Sequence, residues 1–194
     1  MPQQPFFSKL EPPVFSDNVG LVVLEDCGRA IGYSLYRLIE IDDSPVIHRW
    51  FSQITPKYQG RQLYRQITRV IVQYAIDRFG EKQIYYCGRT RTPVGWQALE
   101  KYTKRLAPDL VYGKYHPDLI RIAVGMREVI YPRKTLEIPT LGMRNAFEDG
   151  TQYHIPRHIE DKRLDEIFYG QPIIEHLDAA ILFVGELDER EIFK

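Results

Sequence analysis

Cysteine is scarce in this chain. Its 194 residues hold two, Cys27 and Cys87. They stand far apart, which gives no disulfide framework and no CxxC metal pair, so both read as ordinary core or surface thiols. An excess of charge is missing too, because 26 Lys and Arg balance 26 Asp and Glu. That removes the global electrostatic case for nucleic acid or acidic lipid as a partner and leaves only local patches. No run approaches the ~18 consecutive apolar residues of a spanning helix, so no membrane association is expected. The opening Met-Pro-Gln-Gln-Pro-Phe-Phe has no basic segment leading into an apolar core, so it does not read as a signal peptide. A cytoplasmic location is the expectation. Internal repeats and low-complexity tracts are absent.

What is present fits a globular domain: 44% of residues are apolar and 27% charged, near the average for folded proteins. The length suits one domain with room for an extension. Residues 1 to 17 hold four prolines and read as an arm. Val19 to Glu25 is a short apolar run closed by the turn Asp26-Cys27-Gly28. Ala30 to Ile41 alternates, with Ile31, Tyr33, Leu35 and Arg37 on one face. After Asp42-Asp43-Ser44-Pro45 comes Val46 to Ile54, whose alternation puts Val46, His48, Trp50, Ser52 and Ile54 on one face. Three strands joined by tight turns predict an antiparallel meander.

The period then changes. Leu63, Ile67, Val70, Ile71, Tyr74 and Ala75 recur at helical spacing, and Phe79-Gly80 closes the helix. Gln83 to Cys87 reads as a strand. Thr92-Pro93 starts a second helix with a hydroxyl cap, predicted to run to about Arg105 with Trp96, Leu99, Tyr102 and Leu106 on one side. Beyond Pro108, a helix begun at Pro117-Asp118 carries Leu119, Ile122, Ala123 and Met126, although strand is an alternative there. Residues 131 to 157 look loop-rich, Ile159 to Phe168 helical, and Ala179 to Val184 like a buried strand. His154 and His158 are spaced for a helical metal pair, but Pro156 lies between them. His116 and His176 stand elsewhere, no third ligand is identifiable, and no metal site is expected. Thirteen tyrosines would suit base stacking only beside a basic groove, and a neutral chain makes packing the better account.

The most informative stretch is Ile-Thr-Pro-Lys-Tyr-Gln-Gly-Arg-Gln-Leu-Tyr-Arg-Gln-Ile, residues 54 to 67. A strand enters a basic, glycine-containing turn and then a helix. The first helical amides lack internal partners and the dipole is positive there, so the turn is a natural anion site, suited to a pyrophosphate. Pro56, Tyr58, Gln59 and Gly60, followed by Leu63, resemble the Gln/Arg-x-x-Gly-x-Gly/Ala segment of the GCN5-related N-acetyltransferase (GNAT) superfamily. Arg89-Thr90-Arg91-Thr92-Pro93 and Trp96-Gln97-Ala98-Leu99-Glu100-Lys101 resemble that family's next turn and helix. The likeness spans roughly residues 19 to 106. Gln62 and Tyr64 depart from it, because they stand where the family favours glycine, which lets the backbone approach a phosphate. Leu99 departs as well, standing where the family often has an acidic tyrosine.

The resemblance implies an α/β (α+β) fold with a mixed, mostly antiparallel sheet flanked by helices. It divides the chain into an arm (1–18), an acyl-CoA-binding core (19–110), and a C-terminal extension (111–194) that completes the sheet and shapes an acceptor cleft or a homodimer interface. It implies acetyl-CoA or another acyl-CoA as co-substrate and N-acyl transfer to an amine of unidentified class, small-molecule or protein. Gln59, Gly60, Arg61, Gln62, Leu63, Tyr64 and Arg65 would hold the pyrophosphate. Backbone groups of Gln53 and Ile54 would flank the thioester, and Arg89 and Thr92 would contact the coenzyme arm. His48 is the candidate general base, because imidazole titrates near neutrality, with Glu40 as its rival. Tyr102 is the candidate acid. His48 and Tyr102 have plainer readings: a hydrogen-bonded strand histidine and a packed aromatic. Two alternatives to the transferase remain open, a GNAT-fold binding or regulatory protein without transfer activity and a nucleotide- or nucleic-acid-modifying member of the fold.

Overall fold

A computed structural model of the chain describes residues 18–144, 146, 160–169 and 179–194. The meander is present: β1 (Val19–Asp26), β2 (Arg29–Ile41) and β3 (Ser44–Ile54) pair antiparallel in sequence. The turn between β2 and β3 places Asp42 and Asp43 at φ 47° and 61°, the two left-handed residues that a tight hairpin with the native strand twist needs. A 3-10 turn at Pro56–Tyr58 then leads to α1 (Leu63–Phe79). Next come β4 (Tyr85–Thr90), α2 (Pro93–Glu100), β5 (Thr103–Ala107), α3 (Pro117–Ile130), β6 (Thr135–Glu137), β7 (Gly142–Arg144), α4 (Lys162–Tyr169), β8 (Ala180–Leu187) and α5 (Glu189–Phe193).

The eight strands among the described residues form one sheet in the order β1-β2-β3-β4-β8-β7-β6, with β5 also on β8. Among the described strands only the β3–β4 ladder is parallel, so the sheet is mixed and mostly antiparallel, as expected. β8 pairs with β4 along its length from Tyr85↔Glu186 to Thr90↔Ile181. On its other edge β8 takes β5 at one end and β7 at the other. That makes it an interior strand, and it reads as a continuous apolar run because both faces are covered.

Helices cover both faces. On one, α1, α2, α4 and α5 bury Ile67, Ile71, Trp96, Leu99, Phe168 and Ile192 against Leu38, Ile47, Tyr86 and Phe183. On the other, α3 lays Leu119, Ile122, Ala123 and Met126 over Val46, Cys87, Leu182 and Val184. The helix alternative for 117–130 is therefore the one adopted. The loop-rich reading of 131–157 gives way at β6 and β7, which are three residues each and too short to show a period.

Two expectations are corrected. The second helix stops at Glu100 rather than near Arg105, and Tyr102 lies in the turn before β5. There the Thr103 hydroxyl takes up the Leu99 and Glu100 carbonyls that a continuing helix would use. The single-face reading of Val46 to Ile54 also fails. The β2–β3 register jumps from Tyr36↔Arg49 to Leu35↔Phe51, so Trp50 is the extra residue of a bulge and alternation reverses beyond it. Val46 and His48 face α3, whereas Ser52 and Ile54 face α1. His154, His158 and His176 lie outside the described residues. Among those described, no group of three or more His, Cys, Asp or Glu is arranged to hold a metal, and no helix is long and apolar enough to cross a membrane.

Candidate functional site

The parallel ladder of β3 and β4 is short. It runs from Val46↔Tyr85 to Arg49↔Gly88 and ends there, while β3 continues to Ile54 still paired to β2 and β4 continues to Thr90 still paired to β8. Past Arg49 and Gly88 the two strands therefore diverge, each following its outer neighbour. The Thr55 amide donates to the Ile31 carbonyl at 2.8 Å. That bond brackets the Gly32/Ile54 pair, so the backbone groups of Ile54, and of Ser52 two residues back, point away from β2 into the opening. The Ile54 carbonyl is met by Gln59 Nε2 at 2.8 Å.

Both parallel strands lead into helices whose N-termini lie at this end, and the two differ. Thr92 caps α2 by accepting the Gly95 amide at 3.2 Å, which accounts for that residue locally. α1 has no side-chain cap. Within the described residues no hydrogen bond uses the amides of Gly60, Arg61, Gln62, Leu63 or Tyr64. Gly60 sits at φ 79°, and Gln62, at the cap of α1, takes the left-handed conformation at φ 57°. A glycine would enter that region freely, whereas a side chain costs about 1–2 kcal/mol. The turn is further held by the Tyr58 hydroxyl, which donates to Asp26 Oδ2 at 2.7 Å. Arg61 and Lys57 stack on the Tyr58 ring at 5.2 and 4.7 Å. That hydrogen bond, with one from Cys27, keeps the Asp26 carboxyl below its usual range.

The remaining expected residues fall in different places. Arg65 points back to α5, with Nη2 donating to the Glu191 carbonyl at 3.1 Å, so it does not extend the basic turn. Gln53 accepts from the Tyr33 hydroxyl at 3.2 Å. Arg89 lies on the α3 face, with its guanidinium over the Tyr131 ring at 5.3 Å and Nη1 donating to the Ala146 carbonyl. Glu40 is exposed at the hairpin end of the sheet, paired with Lys82 at 3.0 Å, away from the divergence. His48 is 1% exposed, and its Nε2 is 2.7 Å from the Tyr131 hydroxyl. Burial, with Arg37 and Arg89 adding to it, drives its pKa down to about 3. It is neutral at physiological pH and, at that pKa, a weak base.

The opposite face of the divergence holds Arg49, which the sequence reading did not single out, beside Tyr64 and Tyr102, which it did. Arg49, 7% exposed, donates through Nε to Ser52 Oγ at 2.7 Å. Its Nη1 donates to Thr68 Oγ1 at 2.9 Å and to the Tyr86 hydroxyl at 2.8 Å. Its Cζ lies 4.1 Å from the centre of the Tyr64 ring. Without the bulge at Trp50, Arg49 and Ser52 would face opposite ways. Tyr64 thus turns its ring over Arg49. Tyr102 stands within electrostatic reach of Arg65, Tyr64 and Arg49. A signal was available: an arginine in an apolar strand, between Ile47 and Phe51, has to find polar partners when that strand is interior.

No family model and no curated protein matches the chain. Among solved structures, it is similar to an aminoglycoside N-acetyltransferase in complex with CoA, with 16% identity and a TM-score of 0.34, over 39% of this chain and 57% of that one. It is also similar to an aminoglycoside acetyltransferase from an uncultured soil metagenomic sample, seen in complexes with sisomicin and with trehalose. In both, the identity is 13% and the TM-score 0.36, over 44% of this chain and 55% of that one. The chain thus spans a little over half the length of these structures, and a likeness of this order leaves the site to be read from its own residues.

Proposed function

We propose that this protein is an acyl-CoA-dependent N-acyltransferase, transferring an acetyl group to an amine by direct attack on the thioester. The observation that carries the reading is the divergence of β3 from β4 beyond Arg49 and Gly88, beside an α1 N-terminus with no cap. Coenzyme A asks for two kinds of partner. Its pyrophosphate needs clustered donors of positive sign, which the amides of Gly60 to Tyr64 and the Arg61 side chain supply. Its arm carries two amides, which suit the strand-edge groups of Ser52 and the Ile54 amide, much as an added strand would use them; the Ile54 carbonyl already accepts from Gln59. An arm laid along that edge brings the thioester to the end of the ladder.

Binding is the first test. A ligand at a hundred times its Kd stabilises by about 2.7 kcal/mol, or ~5–10 °C in Tm for a chain of this size. We expect such a shift with millimolar acetyl-CoA and with CoA. Gly60→Trp should abolish it, because an indole beside the turn blocks the amides at an exposed position; the side chain is strained at φ 79°, so the shift is read against the variant's own ligand-free Tm. No shift in the wild-type protein would end the acyltransferase reading.

A second reading, coenzyme binding without transfer, is favoured by one observation. His48 is buried and neutral and Glu40 is remote, so neither stands as a base at the divergence. In the transferase reading the amine therefore arrives neutral and its proton is lost to water, and the rate should rise with pH as the amine deprotonates. Thiol release across a panel of primary amines separates the two. Binding with no release for any of them selects the second reading.

A further inference from the structure

Among the described residues, nothing neutralises the charge of Arg49. Its partners are three hydroxyls and a ring, its Nη2 is buried with no hydrogen-bond partner, and among the described residues no carboxylate forms an ion pair with it. The surrounding phenols do not compensate. Burial pushes the Tyr86 hydroxyl well above its usual range despite the arginine beside it, and burial raises Tyr102 likewise. Both are neutral at physiological pH. A buried guanidinium with an idle nitrogen and no counter-ion is costly, and an anion arriving at that nitrogen recovers the cost.

The position indicates which anion. Arg49 is the last residue of β3 paired to β4, and its Nε is drawn toward the opening by Ser52. The stretch of β3 from Ile54 back to Arg49 is about 16 Å of strand, which an extended arm with two amides covers. The free amides of α1 lie at the exposed end of that path and Arg49 at the buried end, under Tyr64. Resting on the acyl-transfer reading, we propose that Arg49 is a catalytic residue that ion-pairs the coenzyme's sulfur, stabilising the thiolate as it leaves.

The chemistry balances. The amine nitrogen forms the new bond to the acyl carbon, the carbon–sulfur bond breaks, and its electron pair goes to sulfur. Arg49 takes the charge that develops there, the nitrogen gives its proton to water, and the thiolate is protonated by solvent after release. Leu99, which is buried, carries no proton for this step, and an ion pair with Arg49 needs none.

The test compares CoA, desulfo-CoA and adenosine 3′,5′-bisphosphate by titration calorimetry across pH on the full chain. With the sulfur ion-paired, the bound thiol's pKa falls about 1–3 units below its free value near 8.5. The affinity advantage of CoA over desulfo-CoA should then change by up to about tenfold per pH unit in that window. Arg49→Met should remove the advantage while leaving desulfo-CoA and the bisphosphate bound as in wild type, and Arg49→Lys should keep part of it. Weakened bisphosphate binding in Arg49→Met would assign Arg49 to the phosphate end and overturn the proposal. So would wild-type protein that binds CoA and desulfo-CoA equally at every pH, an outcome that leaves coenzyme binding intact. Wild-type protein that binds none of the three overturns the acyl-transfer reading and this proposal with it. The wild-type comparison needs no variant, so a variant that fails to fold leaves the test standing.

Discussion

Gln62 holds a backbone conformation that its side chain opposes, at φ 57° on the cap of α1. Gln62→Gly should therefore stabilise the protein, by about 0.5–1 kcal/mol once the added entropy of the unfolded glycine is subtracted. The midpoint of urea unfolding reads this directly, and a lower midpoint would show that the left-handed turn is not the stable form in solution. His48 makes the second residue-scale prediction. Its folded pKa, about 3, lies below the ordinary 6.5 because of burial, so between those values the unfolded chain binds a proton that the folded chain refuses. Stability is complete above pH 6.5 and falls as pH drops toward 3, by roughly 3–5 kcal/mol over the window. His48→Gln keeps polar atoms toward Tyr131 and cannot charge. It should flatten that dependence in urea titrations at pH 7, 5.5 and 4.5, and an unchanged slope would place the sensitivity elsewhere. The sequence suggested the opposite role for this residue, since nothing local says that α3 will close over it. Arg49 was passed over for the same reason, because its phenol and hydroxyl partners come from Thr68, Tyr64 and Tyr86 on other elements.

Among the elements, the point where β3 and β4 part is closely packed. A methyl group on Gly88 would come 2.5 Å from Phe183 Cζ on β8 and 3.2 Å from the Arg49 carbonyl. Gly88→Ala should cost about 1–3 kcal/mol by overpacking, and Phe183→Leu should restore part of it in the double variant, because the two positions share one clash. Additive losses in thermal unfolding would mean that the contact is not the cause. Periodicity revealed the meander and α1, because each is long enough to repeat its pattern; it left helix and strand both open for the segment that became α3, and the strand expected at Ala179 to Val184 showed itself as an unbroken apolar run. It misjudged what periodicity assumes away. Alternation has no provision for an extra residue, so the bulge at Trp50 stayed hidden, and with it the fact that Ser52 shares a face with Arg49. Nor does helical spacing announce its own end: Leu99 and Tyr102 fit one stripe, yet the chain turns between them.

For the molecule as a whole, the centre of the sheet is assembled from distant parts. β8 supplies the partner for β4, β5 and β7 alike, so residues 19–110 leave β4 with an unpaired edge and Tyr86, Trp96 and Leu99 without Phe183 and Leu187 over them. We expect a fragment of residues 19–110 to show no cooperative unfolding transition. A sharp transition would establish that stretch as an independent folding unit.

The placement of β8 also sets an order of events in time. The hairpins of β1, β2 and β3 join neighbours and can form within microseconds of being free to do so, but roughly a hundred residues separate the partners Tyr85 and Glu186. Until that loop closes, β4 is an apolar edge open to any other strand, and on the ribosome it waits for most of the intervening sequence to be made. Yield in the cell should therefore depend more on synthesis rate, temperature and chaperone supply than on the stability of the finished protein.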